Sequence, residues 1–293
     1  MAVKEQMSPG SKASVSPAKP ERRIPWGKIG RYTAVVFVVS VTLAPLYWSI
    51  AISVKSDLEL NVSPPTLFPH TFSWENYASD LALSTFTRDL LNSTIIATLT
   101  TLLALFFGIL CAYALARMKF RGKSIVLWIT LSVAIFPLFA MVGPLYVFFT
   151  GPLPIYNTYA ALIIPDLMLT LPITVWFMTS FFRDLPPDLE EAALVDGATR
   201  MRALWEVIVP LTAPGVSAAA ILSFIAVWND FVFGLTLTTD ENAQPITVGV
   251  SRFAGSLGEI AAAAVIVTIP LTIVVLILQK RIVSGLTAGA VKD

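Results

Sequence analysis

Between Lys123 and Asp166 lie 42 consecutive residues without an acidic or basic side chain. A helix crossing the hydrocarbon of a bilayer needs about 20 residues, so this run holds two crossings rather than one. Gly151-Pro152-Leu153-Pro154 offers the turn between them. Other uncharged runs repeat the theme: Tyr32 to Val54 gives 23 residues between Arg31 and Lys55, and residues 90–116 lie between Asp89 and Arg117. Backbone polar groups inside a membrane must find partners within the protein, which helices supply. The chain is therefore expected to be all-α, a polytopic membrane protein with six transmembrane helices. The spans are placed near 32–54, 90–116, 124–149, 158–182, 214–238 and 260–279, the last stopped by Lys280-Arg281. Pro45, Pro137, Pro144, Pro165, Pro172 and Pro270 fall within them, where neighbouring helices tolerate the missing hydrogen bond.

Residues 1–30 are rich in Ser, Pro, Ala and Lys without apolar periodicity and read as a disordered tail, with no cleavable signal peptide. The remainder, 31–293, reads as one transmembrane domain. Seventeen of the 20 lysines and arginines fall on one side if the N-terminus is cytoplasmic, against Lys55, Arg88 and Arg252 on the other. The positive-inside rule then places both termini in the cytoplasm. A net charge of +1 gives nucleic-acid binding no electrostatic basis. Cys111 and His70, each the sole residue of its type, exclude an internal disulfide and leave almost nothing for a zinc site.

One long charged segment interrupts the second half, residues 183–213, on the cytoplasmic side of this topology. After Pro186-Pro187, Asp188, Glu190 and Glu191 crowd a first helical turn, where the macrodipole favours acids. Leu189, Ala192 and Ala193 make a small apolar face. Asp196-Gly197 stops the helix, with Gly197 suited to the left-handed C′ position. Thr199 caps a second helix, in which Met201, Leu204, Trp205 and Ile208 hold amphipathic spacing until Pro210 and Pro214-Gly215. Two short helices on a glycine joint between spans form a docking element.

This segment resembles the EAA loop of ABC-importer permeases: Glu-Ala-Ala, three residues, Gly, nine residues, then Ile-x-Leu-Pro. Here it reads Glu191-Ala192-Ala193, Gly197, and Val207-Ile208-Val209-Pro210, with Val in place of both Ile and Leu. Asp196-Gly197-Ala198, Trp228-Asn229-Asp230 and the end Gly285 to Lys292 resemble the carbohydrate branch, the maltose-type permeases. The resemblance implies a type I importer permease fold in a bacterial or archaeal cell membrane. It implies a second homologous permease subunit, two ATP-binding subunits, an extracytoplasmic solute-binding protein and a sugar substrate. ATP and Mg would be bound by the partner ATPase and no cofactor by this chain, which is then a transport subunit and not an enzyme. Glu190, Glu191, Ala192, Ala193, Asp196, Gly197 and Ala198 would contact the ATPase. Leu286, Thr287, Gly289 and Lys292 would reach it from the C-terminal tail.

Gly122-Lys123-Ser124 imitates the end of a phosphate-binding loop, but Arg117 stands where that motif needs glycine. Acids inside spans are few. Asp166 and Asp230 each cost about 2.5–3.5 kcal/mol near mid-bilayer and should face protein or water. With Trp228 and Asn229 they are candidates for the substrate pathway; the structural alternative is a locally paired carboxylate. Sequons at Asn61 and Asn92 point only weakly to glycosylation. The other function classes are a permease for a non-sugar solute such as glycerol phosphate, a secondary transporter, and a membrane enzyme. A secondary transporter would bring an ion relay or repeated halves, and an enzyme a cluster of His, Cys or paired carboxylates. The sequence has neither.

Overall fold

The computed structural model describes residues 26–289, and no strand occurs among them. In chain order the helices are α1 Trp26–Ser53, α2 Asp57–Leu60, α3 Glu75–Ala82, α4 Ser84–Arg117, α5 Lys123–Ile135, α6 Leu138–Thr150 and α7 Tyr159–Asp184. Then come α8 Asp188–Val195, α9 Arg200–Ala203, a π turn Leu204–Ile208, α10 Val209–Leu211, α11 Ala213–Trp228, α12 Val232–Leu237, α13 Ile246–Ser251 and α14 Leu257–Gly289. The chain divides into two units at Leu46. Of the first, the described part is α1 up to Leu46, whose residues from Arg31 on are exposed and, after Arg31, uncharged. The second carries every site described below.

Among the described residues four helical stretches are long and apolar enough to cross a membrane: Gly30–Ser53, Ser84–Arg117, Tyr159–Asp184 and Leu257–Gln279. The expected continuous span 124–149 is instead two helices, α5 and α6, meeting at 91°. The cause is local. Pro137 lacks an N–H and forces Phe136 into an extended conformation (ψ 133°), so the helix cannot run through. The other five prolines sit inside helices that continue through them. The expected span 214–238 is likewise interrupted, at Asn229–Phe231. The last helix does not stop at Lys280-Arg281 but continues to Gly289. At the other end, helix begins at Trp26, inside the segment expected to be a tail.

Within the second unit, α4 lies along α7 and both pack on α11, with α14 against α11. Their close approach depends on small residues. A Cβ on Gly108 of α4 would come within 2.6 Å of the Thr174 methyl on α7. Small residues and hydroxyls are what membrane helices use at such contacts, as in the 3.1 Å contact of Thr174 and Ser223. One apolar cluster gathers Phe86, Phe149, Leu162, Phe224, Trp228 and Phe233. A second gathers Ile109, Tyr113, Met178, Phe182, Leu204 and Ile208. The segment after α12 is tied to α4 by Asn92, whose amide donates to the carbonyls of Glu241 (2.9 Å) and Gln244 (3.0 Å) and accepts from Tyr159 Oη (2.8 Å). Asn92 is fully buried and both its N–H groups are used, so it cannot carry a glycan.

Candidate functional site

The charged segment folds from its own sequence signals. Pro187 precedes α8, and its carbonyl accepts from the N–H groups of Glu190 and Glu191. At the far end Gly197 has φ +90°, its N–H donates to Leu194 O (3.1 Å), and Ala198 N–H donates to Ala193 O (3.0 Å). These are the two bonds of a Schellman motif, and a side chain at Gly197 would be strained by the left-handed backbone. Thr199 Oγ1 then accepts from Arg202 N–H (3.3 Å) to start α9. The π turn follows and ends at Ile208, two residues before Pro210, which has no N–H to give back to the helix. The arm Arg200–Leu211 meets α11 at 82°.

The two glutamates of α8 part company. Glu191 is exposed, with Asp188, Leu189, Ala192, Val195 and Asp196 around it on the outer face; Ala193 and Ala198 are half-buried. Glu190 turns inward and is buried. Its Oε1 accepts from Tyr113 Oη at 2.6 Å, and its Oε2 lies 3.6 Å from Arg117 Nε, a charge contact rather than a hydrogen bond. Arg117 Nη2 donates to Leu185 O at 2.9 Å. The end of α4 is thus fastened to both the approach to α8 and its first turn. Tyr113 and Arg117 were not singled out by the sequence. Their signal was a charge at the last helical position of an apolar run, with a tyrosine four residues, one turn, before it.

The expected apolar face of the second helix splits in two. Leu204 and Ile208, four apart, are buried, while Met201 and Trp205, also four apart, stand exposed beside them. Trp205 stacks on Phe106 of α4 (centroids 6.2 Å, 13°). Together with Leu189 and Val195 (86% exposed), Met201 gives this end of the molecule apolar surface among charges.

Among the pathway candidates, Asp166, Asn229 and Asp230 line one cavity of about 210 Å³, with Leu138 and Thr170. Asp166 is buried on α7. Asp230 stands at the break between α11 and α12, accepting from the N–H groups of Phe233 (3.3 Å) and Gly234 (3.1 Å), so it caps α12 as well as facing the cavity. Asn229 Nδ2 bonds back to Ile225 O (2.8 Å). Trp228 is elsewhere: buried, stacked on Phe224 (5.5 Å, 17°), and not lining the cavity. For the C-terminal candidates, Leu286, Thr287 and Gly289 are described only as backbone of α14, and Lys292 lies outside the described residues. No group of three or more metal-ligating residues occurs among the described residues.

Residues 104–287 match the family described as binding-protein-dependent transport system inner membrane component. The chain is 40% identical to the trehalose transport system permease protein of Mycobacterium tuberculosis, over 87% of its own length and 94% of that protein. It is 42% identical to the trehalose/maltose transport system permease protein of Thermococcus litoralis, over 88% and 94%. Identity to the sulfoquinovosyl glycerol transport system permease protein of Agrobacterium fabrum is 38%, over 91% and 94%. In fold it is similar to a chain of a bacterial ABC transporter that imports alginate (TM-score 0.74, 20% identity, covering 87% of this chain and 95% of that one).

Proposed function

Since the chain belongs to the binding-protein-dependent transport system inner membrane component family, a family of multi-pass membrane permeases, we propose that it is one permease subunit of a carbohydrate importer. In this reading the face bearing Glu191 seats on an ATP-binding subunit in the cytoplasm, and the segment 239–256 faces the extracytoplasmic side. A second permease completes the pathway, two ATP-binding subunits bind ATP and Mg, and a solute-binding protein delivers the sugar.

The observation that carries this is the build of α8. A coupling free energy needs a physical connection that both sites bias. Here a short helix with an exposed, partly apolar face is aimed by a Schellman turn at Gly197 and bolted through Glu190 to Tyr113 and Arg117 on a 34-residue helix. At 1.5 Å per residue that helix is about 50 Å long, so it reaches from the docking face to the opposite end. Movement of α8 is therefore handed to α4. The cavity of Asp166 and Asp230 lies between the helices that pack on α4, where a passing solute would meet it.

The test is uptake of a panel of labelled sugars by vesicles holding both permeases and the ATP-binding subunits, with loaded binding protein added. ATP-dependent accumulation of at least one sugar is expected. Accumulation of a non-carbohydrate solute alone would overturn the assignment to sugars.

A further inference from the structure

A second polar pocket, of about 420 Å³, opens where the start of α4, the segment after α12 and the start of α14 converge. Its volume falls in the range of roughly 300–1,000 Å³ typical of small-molecule sites. Arg252 Nη1 donates to Gln244 Oε1 (3.0 Å), and Gln244 Nε2 donates to Asp89 Oδ2 (2.8 Å). That chain leaves Asp89 Oδ1 without a donor, although Asp89 is only 2% exposed. Glu259 adds a second carboxylate, with Oε2 held by the Ser256 N–H (2.7 Å). Phe86 and Phe253 (centroids 6.0 Å) supply aromatic wall.

The mixture of charges selects the occupant. A cation would sit against the Arg252 guanidinium, and an anion against two carboxylates. A neutral, hydroxyl-rich molecule suits both, donating to Asp89 and Glu259 while accepting from Arg252, which keeps N–H groups beyond the one given to Gln244. Its C–H faces suit the phenyl rings. A buried acceptor left unpaired is costly, and a donor from the ligand would relieve that cost.

We propose that this pocket is an outer carbohydrate subsite of the permease, distinct from the cavity of Asp166 and Asp230 and loaded before the sugar enters it. The proposal rests on the carbohydrate reading and on the orientation given above.

The test measures equilibrium binding of each radiolabelled sugar of the same panel, trehalose and maltose among them, to the purified transporter without its binding protein, beside uptake of the same sugars with all partners present. Saturable binding is expected, weakened at least tenfold by Asp89→Asn and by Arg252→Ala and unchanged by Glu75→Gln. Arg252 is exposed, so its truncation leaves the fold in place even if Asp89→Asn does not assemble. Uptake of a sugar that shows no saturable binding here would overturn the subsite while leaving the transport reading intact. Binding that survives both substitutions would also overturn it. Failure of every sugar of the panel to enter with all partners present would remove the carbohydrate premise and the subsite with it.

Discussion

Tyr113 Oη lies 2.6 Å from Oε1 of Glu190, across the 77 residues that separate the end of α4 from the docking helix. A hydrogen bond to a buried carboxylate is worth about 1.5–3 kcal/mol. Tyr113→Phe removes the hydroxyl and keeps the ring in its apolar cluster. Assembly at near-normal levels is expected, with stimulation of ATP hydrolysis by loaded binding protein reduced several-fold. Unchanged stimulation would reduce this pair to packing.

Cysteine labelling in a Cys111-replaced background tests the orientation. Ser63 and Asn242 should react with an impermeant reagent from outside, and Ser124 and Thr199 only from inside; all four are exposed. The neighbouring Ala243 is 1% exposed and would report nothing. Outside labelling of Thr199 would overturn the topology and the docking face together.

Asp80 on α3 is fully buried, and neither carboxylate oxygen has a hydrogen-bond partner. Burial, and then the charge of Glu259, push its pKa up to about 6 from an ordinary 3.8. The folded state therefore holds this proton more tightly than the unfolded one, so its contribution to stability falls as pH rises from about 4 through 6. Above that the ionised form carries the full cost. Asp80→Asn should raise the unfolding temperature of the purified complex at pH 8 and change it little at pH 4.5. An equal effect at both pH values would remove the carboxylate as the cause.

For Asp230 two substitutions separate capping from passage. Asn caps a helix about as well as Asp, so Asp230→Asn should leave membrane levels normal and lower uptake several-fold. Asp230→Ala strips the acceptors from Phe233 and Gly234 N–H and should also cost about 1 kcal/mol of stability. Normal uptake with Asp230→Asn would leave the residue a cap alone.

The helical class was legible because membrane spans write themselves in unbroken apolar runs, and the docking segment because prolines, Gly197 and clustered acids each have a local meaning. Gly197 at φ +90° is where its sequence neighbours put it. What stayed hidden depends on contacts distant in sequence. Glu190 and Glu191 are adjacent acids in one helical turn, and the partners of the inward one, Tyr113 and Arg117, lie more than 70 residues away. The break at Pro137 was written in the sequence too, yet it is one of six prolines in apolar runs, and five are absorbed by their helices. Trp228 is stacked on Phe224, one turn earlier, a contact that its sequence neighbours Asn229 and Asp230 do not announce.

The central claim is that α8 carries the force of ATP hydrolysis into this chain. Its most direct test is reconstitution of Glu191→Gln and Gly197→Ala with all partners, measuring hydrolysis and uptake in the same vesicles. Glu191→Gln keeps size and loses charge on the exposed face; Gly197→Ala penalises the left-handed turn by about 1–2 kcal/mol. Both complexes should reach the membrane, with stimulation of hydrolysis by the loaded binding protein and uptake falling together, at least tenfold. Gly197→Ala should in addition retain less of the ATP-binding subunits on purification. Full stimulation and full uptake in both variants would contradict the account and place the coupling element elsewhere.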